Sequence, residues 1–298
     1  MKRRSVSKIL GLMLASVMAL SLAACGSSSS DSASTTAASA ASTAAADTAA
    51  TTADTTAATE SSADSDVAYI QGKGTLIVGI TDFAPMDYKD EDGNWIGFDA
   101  DLATKVAQDL GVEVQFEEID WDNKILELDN KSIDVVWNGM TLTDEVTSSM
   151  ECTEPYLNNA QVVVVPSDKA DQYQDVDSLK DLSFAVEAGS AGETAAKENG
   201  FNYTSLTSQA DTLMEVRSGT SDAAIIDLLM AGAMIGEGTS YDDLTHTVEL
   251  TTEEYGVGCR KGSDLAAYIN DEFDKFREDG SMESIAETYG VQDALVSD

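Results

Sequence analysis

Histidine is nearly missing from this chain. Its 298 residues include one, His246, set in a polar segment where an imidazole reads as a surface group. Chemistry built on histidine has little to work with: no HExxH, CxxC or P-loop pattern occurs, and no histidine accompanies a GxSxG-type turn. Basic residues are also scarce, 17 Lys and Arg against 54 Asp and Glu, for a formal charge of −37. Lys2, Arg3, Arg4 and Lys8 hold four of those 17 at one end. Such a surface repels phosphate backbones and anionic headgroups, which excludes nucleic acid as a partner and leaves a lipid anchor as the only route to a membrane. Cysteine occurs three times. Cys152 and Cys259 replace apolar positions in Met150-Glu-Cys-Thr and Gly256-Val-Gly-Cys and read as buried free thiols, with a disulfide as the alternative. A long hydrophobic run is missing too: the apolar stretch from Ile9 to Leu20 is too short to span a bilayer comfortably.

That stretch follows a basic start, Met1-Lys-Arg-Arg-Ser-Val-Ser-Lys, and leads into Leu22-Ala-Ala-Cys25, the order of an export signal. The four-residue run resembles the lipobox of bacterial lipoproteins, which implies that residues 1–24 are a signal peptide and that Cys25 is lipidated. Residues 26–66 are almost entirely Ser, Thr, Ala and Asp, without an aromatic or a basic residue. They hold too little apolar surface to offset the entropy of ordering and read as a flexible tether, 25–66 with the lipidated cysteine.

The folded part is organised around Ile133-Asp-Val-Val-Trp137-Asn-Gly-Met-Thr-Leu-Thr-Asp-Glu-Val146. Ile133–Trp137 is a short apolar run that predicts a strand buried on both faces. Asn138-Gly139 is expected to break it. Thr143 is a cap-type residue, and Asp144-Glu145 suits the first turn of a helix. A strand–loop–helix junction of this kind offers backbone N–H groups at the carboxyl end of a strand, where open α/β sheets bind small ligands. Around it the pattern alternates. Strands are expected at Gly74–Ile80, Val112–Ile119, Ala160–Val165, Phe184–Glu187, Ala223–Ile226 and Tyr255–Arg260. Helices are expected from Leu102 to Leu110, through Leu128, and over Glu193–Glu198, Ala210–Ser218, Leu228–Ile235 and Ser281–Tyr289; Leu265, Ile269, Phe273 and Phe276 mark one more. Asp90–Asn94 reads as a hairpin turn. This is an α/β chain.

Several stretches, in order, carry a family resemblance: Gly74–Ile80, Phe83-Ala-Pro, Gly97-Phe-Asp-Ala-Asp-Leu, Asp120-Trp121, Asn138-Gly-Met-Thr-Leu-Thr-Asp-Glu, Glu154-Pro-Tyr, Gly189-Ser-Ala-Gly-Glu, Ser221-Asp-Ala-Ala-Ile-Ile-Asp227 and Tyr255-Gly-Val-Gly. Together they cover essentially all of 67–298, and the chain resembles the type II extracellular solute-binding proteins of ABC importers, polar amino-acid family. The resemblance implies a two-lobed α/β fold with two crossover strands near 159–165 and 253–259. Lobe 1 would comprise 67–160 plus 254–298, and lobe 2 161–253. It implies a monomer on the outer face of the bacterial cell membrane that needs no cofactor or metal, closes by a hinge over a small polar solute, most simply an amino acid, and passes it to an ABC permease.

By the same resemblance Phe83 and Trp121 sandwich the ligand side chain. Gly139, Met140 and Thr141 meet its backbone groups, and Asp227 pairs its ammonium, with a helix N-cap as the alternative role for Asp227. Ser190, Ala191 and Gly192 would present N–H groups at a helix N-terminus to a carboxylate. Asp82, Asp87 and Glu187 are candidate selectors, with a solvated loop acid as the favoured reading for Asp82 and Asp87. One position departs from the family: Val146 stands where most members hold an arginine that clamps the ligand carboxylate bidentately, which valine cannot do. Either another donor, such as Lys124, substitutes, or the ligand is an amine or other solute without a standard α-carboxylate. An enzyme on the same fold, a dehydratase with Glu187 or Glu145 as acid–base group, is the reading from another class. For the anchor, Cys25→Ser is expected to release the protein into the medium; a variant that stays with the membrane fraction would exclude lipidation at Cys25.

Overall fold

The computed structural model describes residues 65–297; the expected signal peptide, Cys25 and nearly all of the tether lie outside the described residues. Among these no helix is long and apolar enough to cross a membrane. The described chain opens with α1 (Asp66–Lys73), capped by the Ser65 hydroxyl, which accepts the Ala68 N–H at 3.0 Å, and closed by Gly74 in the left-handed region. Residue 66, assigned to the tether from composition, is thus part of a capped helix. β1 (Thr75–Ile80) follows, then the hairpin β2 (Tyr88–Lys89) and β3 (Trp95–Ile96) around the expected turn, where Asp90 Oδ1 accepts the Asp92 and Asn94 N–H groups. Next come α2 (Phe98–Leu110), β4 (Glu113–Glu118), a 3-10 turn at Trp121–Asn123, α3 (Lys124–Asp129), β5 (Val135–Thr141), α4 (Asp144–Ser149), β6 (Glu151–Cys152) and β7 (Leu157–Pro166). The second α/β run is β8 (Ser183–Glu187), α5 (Ala191–Glu198), β9 (Asn202–Leu206), α6 (Gln209–Ser218), β10 (Ala223–Asp227) and α7 (Leu228–Met234). β11 (Leu244–Cys259) returns the chain to α8 (Leu265–Glu278) and α9 (Ser281–Tyr289).

The strands lie in the order β4-β1-β5-β11-β7-β10-β8-β9, with β6 against β11. β4, β1 and β5 run parallel at one end, and β10, β8 and β9 run parallel at the other. β7 and β11 lie between them, antiparallel to one another from Leu244 opposite Pro166 to Tyr255 opposite Leu157. Each parallel group is covered by helices, as parallel sheets require, and the two long strands carry the chain between them. This is the two-lobed α/β architecture with two crossover strands. Leu76, Val78, Ile80, Trp137 and Phe273 are central to one core, and Val163, Val165, Phe184, Val186 and Ile225 to a second, smaller one.

Three expectations change. Asn138-Gly139 does not end the central strand, which runs on to Thr141; Gly139 takes φ +54 and the ladder to β11 shifts register between Gly256 and Gly258, so a bulge absorbs the glycine. β9 was invisible because its edge position leaves Asn202, Thr204 and Ser205 without an apolar face. β11 is far longer than Tyr255–Arg260, since its first half alternates polar residues against β7. Cys152 and Cys259 are free thiols, Cys259 fully buried.

One end of the fold is fastened by charge. Asp134, fully buried at the foot of β5, accepts Lys73 Nζ at 2.6 Å and the Ile77 N–H at 2.8 Å. Arg260 reaches Asp134 at 3.5 Å and Asp66 at 3.0 Å and donates to the Ile133 carbonyl at 2.9 Å. Removing the shared acceptor strands the Lys73 ammonium and the buried Ile77 N–H and takes one of the two carboxylates from Arg260, so Asp134→Ala is expected to cost about 3 kcal/mol of unfolding free energy. Urea denaturation measures it, with an unchanged midpoint as the contrary result.

Candidate functional site

Between the lobes lies a narrow cleft with a cavity of about 40 Å³. The first lobe supplies Phe83, Trp121, Lys124, the turn of strand at Asn138–Thr141, and Val146. The second supplies Glu187, Gly189, Ser190, Ala191, Gln209 and Asp227. The lobes touch at its rim: Lys124 Nζ donates to the Trp121 carbonyl at 3.2 Å and across the cleft to the Gly189 carbonyl at 2.9 Å. Gly189, at φ +70, packs so closely on Asp122 that a Cβ there would lie 2.8 Å from the Asp122 Cα.

The aromatic wall is held by local backbone structure. Phe83 exchanges backbone hydrogen bonds with Asp87, at 2.7 and 2.9 Å, which pins its ring edge-on to Tyr255 with centroids 6.4 Å apart. Gly139 is needed beneath it: a Cβ would stand 2.6 Å from Phe83 Cε1 and 3.0 Å from Tyr255 Cε2. The Gly139 N–H is in turn fixed by Asp99 Oδ2 at 2.7 Å, and Asp99 takes the Tyr156 hydroxyl on both oxygens. Trp121 begins the 3-10 turn before α3, with Lys124 Nζ 4.9 Å from its ring centroid.

Asp227 ends β10, almost fully buried, and its carboxylate accepts three side-chain hydrogen bonds, which leaves room on Oδ2 for one more donor. Oδ1 accepts Asn159 Nδ2 at 2.6 Å and the Tyr255 hydroxyl at 2.5 Å; Oδ2 accepts Gln209 Nε2 at 2.5 Å. Its own N–H donates to Gln209 Oε1 at 3.1 Å. Asp227 occupies the N-cap position of α7, but its side chain makes no cap bond, so the alternative role falls away. Behind it Glu253 Oε1 accepts from Asn159, Gln161 and Thr141, at 2.7, 2.8 and 2.9 Å. Burial, then Glu253, push Asp227 up to about 7 against the pull of its donors. Burial, then Asp227, push Glu187 up to about 8, opposed by Lys124. Burial depresses Lys124, while Glu145 and Glu187 oppose that shift.

Of the candidate ligand groups, Phe83, Trp121, Gly139, Met140, Thr141, Ser190, Ala191 and Asp227 come together on this cleft, as does Glu187. Three do not reach it. Gly192 faces inward, where a Cβ would meet the Ile225 carbonyl at 2.9 Å, so it serves the packing of α5 on β10. Asp87 is fully buried and accepts from Asn138 Nδ2 at 2.8 Å, which makes it scaffolding under β5 rather than a selector. Asp82 points into a neighbouring groove with Glu117, Glu118, Asp120 and, from the other lobe, Asp211. Two donors at the α5 terminus are already satisfied: the Ser190 hydroxyl accepts the Glu193 N–H, and Glu193 takes the Gly189 N–H at 2.8 Å. Gln209 and Asn159 were missed. The signal was present in Asn159 and Gln161, alternate polar residues on an otherwise apolar strand.

A protein-family model described as bacterial extracellular solute-binding proteins, family 3, matches residues 76–292. The arginine-binding extracellular protein ArtP of Bacillus subtilis is 31% identical over 226 residues, which cover 72% of this chain and 85% of ArtP. The L-cystine-binding protein TcyJ of Escherichia coli is 28% identical over 225 residues, covering 74% and 84%. Among solved structures, a mutant of ArgBP from T. maritima superposes with a TM-score of 0.70 at 30% identity, over 75% of this chain and 98% of that one. The ancestral amino acid-binding protein AncCDT-1, a precursor of cyclohexadienyl dehydratase, gives 0.69 at 32% identity over 76% and 99%.

The buried acids fix a pH dependence. Asp99, Asp227 and Glu187 are raised to about 6, 7 and 8, burial being the first cause for each. The folded protein binds their protons more tightly than the unfolded chain, so their contribution is complete at acid pH and is lost as pH rises through those values. The melting temperature of the ligand-free protein is expected to fall between about pH 5 and pH 8. A scanning-calorimetry series with a flat or rising profile would contradict this.

Proposed function

Because the chain belongs to family 3 of the bacterial extracellular solute-binding proteins, we propose that it captures an amino acid between its lobes and hands it to an ABC permease. The observation that carries this reading is the pairing, in one interlobe cleft, of an aromatic wall with a buried carboxylate. Phe83 and Trp121 offer faces that desolvate an aliphatic stem and favour a cation, and Asp227 offers a prepositioned acceptor for an ammonium. Two relatives fit: ArtP is an arginine-binding protein and TcyJ an L-cystine-binding protein. With Val146 on the wall, Lys124 is the basic residue placed to meet a ligand carboxylate, assisted by the Ser190–Ala191 turn.

Delivery follows from the same reading. Asp227 is bonded to residues of both crossover strands, so a ligand that loads its carboxylate acts on the strands about which lobe 1, 67–160 with 254–298, closes on lobe 2, 161–253. The protein works extracytoplasmically as a monomer, held at the outer face of the membrane through Cys25. It binds its solute without transforming it. The raised Glu187 is the group an enzyme of this fold would use as acid, and product analysis of each incubated solute distinguishes the two.

Calorimetric titration with a panel of amino acids and their decarboxylated amines tests the proposal. At least one amino acid is expected to bind, and Asp227→Asn to weaken it by about tenfold or more, on the scale of about 1.4 kcal/mol per decade. Val146→Arg is expected to shift preference from the amine to the parent amino acid. Absence of any amino-acid binding, or an unchanged affinity in Asp227→Asn, would overturn the reading.

A further inference from the structure

The two crossover strands meet over a pair of carboxylates that share one amide. Asn159 of β7 and Glu253 of β11 stand opposite each other in the ladder. Asn159 Nδ2 gives one hydrogen to Asp227 Oδ1 at 2.6 Å and the other to Glu253 Oε1 at 2.7 Å. Its own Oδ1 accepts the Leu229 N–H at 3.2 Å. The amide therefore has one orientation, since the reverse would set a carbonyl oxygen against two carboxylates. Glu253 Oε1 also takes Gln161 Nε2 at 2.8 Å and the Thr141 hydroxyl at 2.9 Å. A hydroxyl that bonds a carboxylate commits its hydrogen there, so Thr141 turns lone pairs toward the cleft it lines. Glu253 itself is half-buried and lies behind that wall. Among the described residues no lysine or arginine pairs with Asp227 or Glu253. The titratable groups facing Asp227 are Glu253 and Tyr255 from β11 and Glu187 from β8, while Lys124 from α3 bears on Glu187. Two carboxylates thus meet at one amide with no cation of the chain's own between them.

We propose that Glu253 is a positioning residue for ligand recognition: from behind the cleft it fixes Thr141 and Asn159 around Asp227, and its charge leaves that site short of one cation, which a protonated ligand nitrogen supplies. This rests on the amino-acid reading above, with the ligand ammonium on Asp227. Like charges so placed disfavour joint ionisation, and Asp227 is raised to about 7, by burial first and by Glu253 next. The ligand-free site holds a proton on Asp227 at the acid side of that value, and the proton leaves to solvent as the ammonium arrives. Binding a cation needs Asp227 ionised, so affinity falls as pH drops through its titration. Glu253 helps to set where that fall begins. Neutralising Glu253 moves the fall to lower pH and weakens the pull on the cation above it. A residue that only braced the strands would change affinity equally at every pH. Glu187 titrates in a neighbouring range but is present in every variant, so differences between profiles report on Glu253.

Glu253→Gln isolates the charge: its Oε1 can keep the donors from Thr141, Asn159 and Gln161, and its Nε2 can donate to Thr251 Oγ1, which lies 3.4 Å from Glu253 Oε2. Glu253→Asp keeps the charge on a shorter stem. The full chain, freed of bound solute by partial unfolding and refolding, is screened by calorimetry at pH 8 with the standard amino acids and cystine, and each that binds is titrated from pH 5 to pH 8. Native affinity is expected to fall on the acid side of about pH 7. In Glu253→Gln the midpoint of that fall is expected about one pH unit lower, with affinity at pH 8 about fivefold weaker, so that the two profiles converge toward acid pH. Glu253→Asp is expected to keep the native midpoint. A midpoint unmoved in Glu253→Gln, or moved as far in Glu253→Asp, overturns the assignment while leaving the amino-acid reading intact. Absence of binding by every solute overturns both.

Discussion

The carboxylate of Asp227 is the interaction on which the rest of this structure turns. A carboxylate taken out of water costs several kcal/mol unless donors surround it, and here the donors come from three places in the chain: Asn159 on one crossover strand, Tyr255 on the other, and Gln209 at the start of α6. The two strands are thereby cross-linked through a side chain that belongs to the second lobe. Glu253 repeats the device one step back, gathering Thr141, Asn159 and Gln161 on a single oxygen. The site and the hinge are built from the same residues, and the charge state of one acid is felt at the point where the lobes join.

A second acidic system supports the first lobe's side of the cleft. Asp99 fixes the Gly139 N–H, and Asp87 holds Asn138, whose Oδ1 accepts both the N–H and the hydroxyl of Thr81. Both acids are raised by burial. The positive φ of Gly139, the bulge opposite it and the position of Phe83 all follow from this layer. The cleft wall is thus rigid on one side by hydrogen bonds beneath a strand, and on the other by the packing of α5 against β10 at Gly192.

The fold was largely legible because its strands are apolar runs and its helices carry caps: Gly111, Thr143 and Ser190 all stand where local chemistry places them. β9 and the first half of β11 were not, since strands whose faces are polar leave no periodic signal. The wall was legible in part. Phe83, Trp121 and Asp227 could be marked because an aromatic beside acids, or an acid closing an apolar strand, is out of place in a core. Asp87 was misjudged for the reason that makes it interesting: an acid in a loop reads as solvated, and only the third dimension shows Asn138 waiting for it. Gln209 was silent because a lone glutamine at a helix start resembles any other capped turn.

The ionic knot at α1 bears on how the protein handles load. Ser65 and the Val67 N–H bind Asp264, and Asp66 binds Arg260, which leads to Asp134 and Lys73. Every one of these partners belongs to the lobe that carries β1 and β5. Any tension applied at residue 65 would therefore be taken up within the first lobe, by partners other than Asn159 and Tyr255. A pull that entered through the other lobe, or through a crossover strand, would bias the angle between the lobes with each tug. An attachment made through residue 65 would leave the angle between the lobes to the chemistry of the cleft.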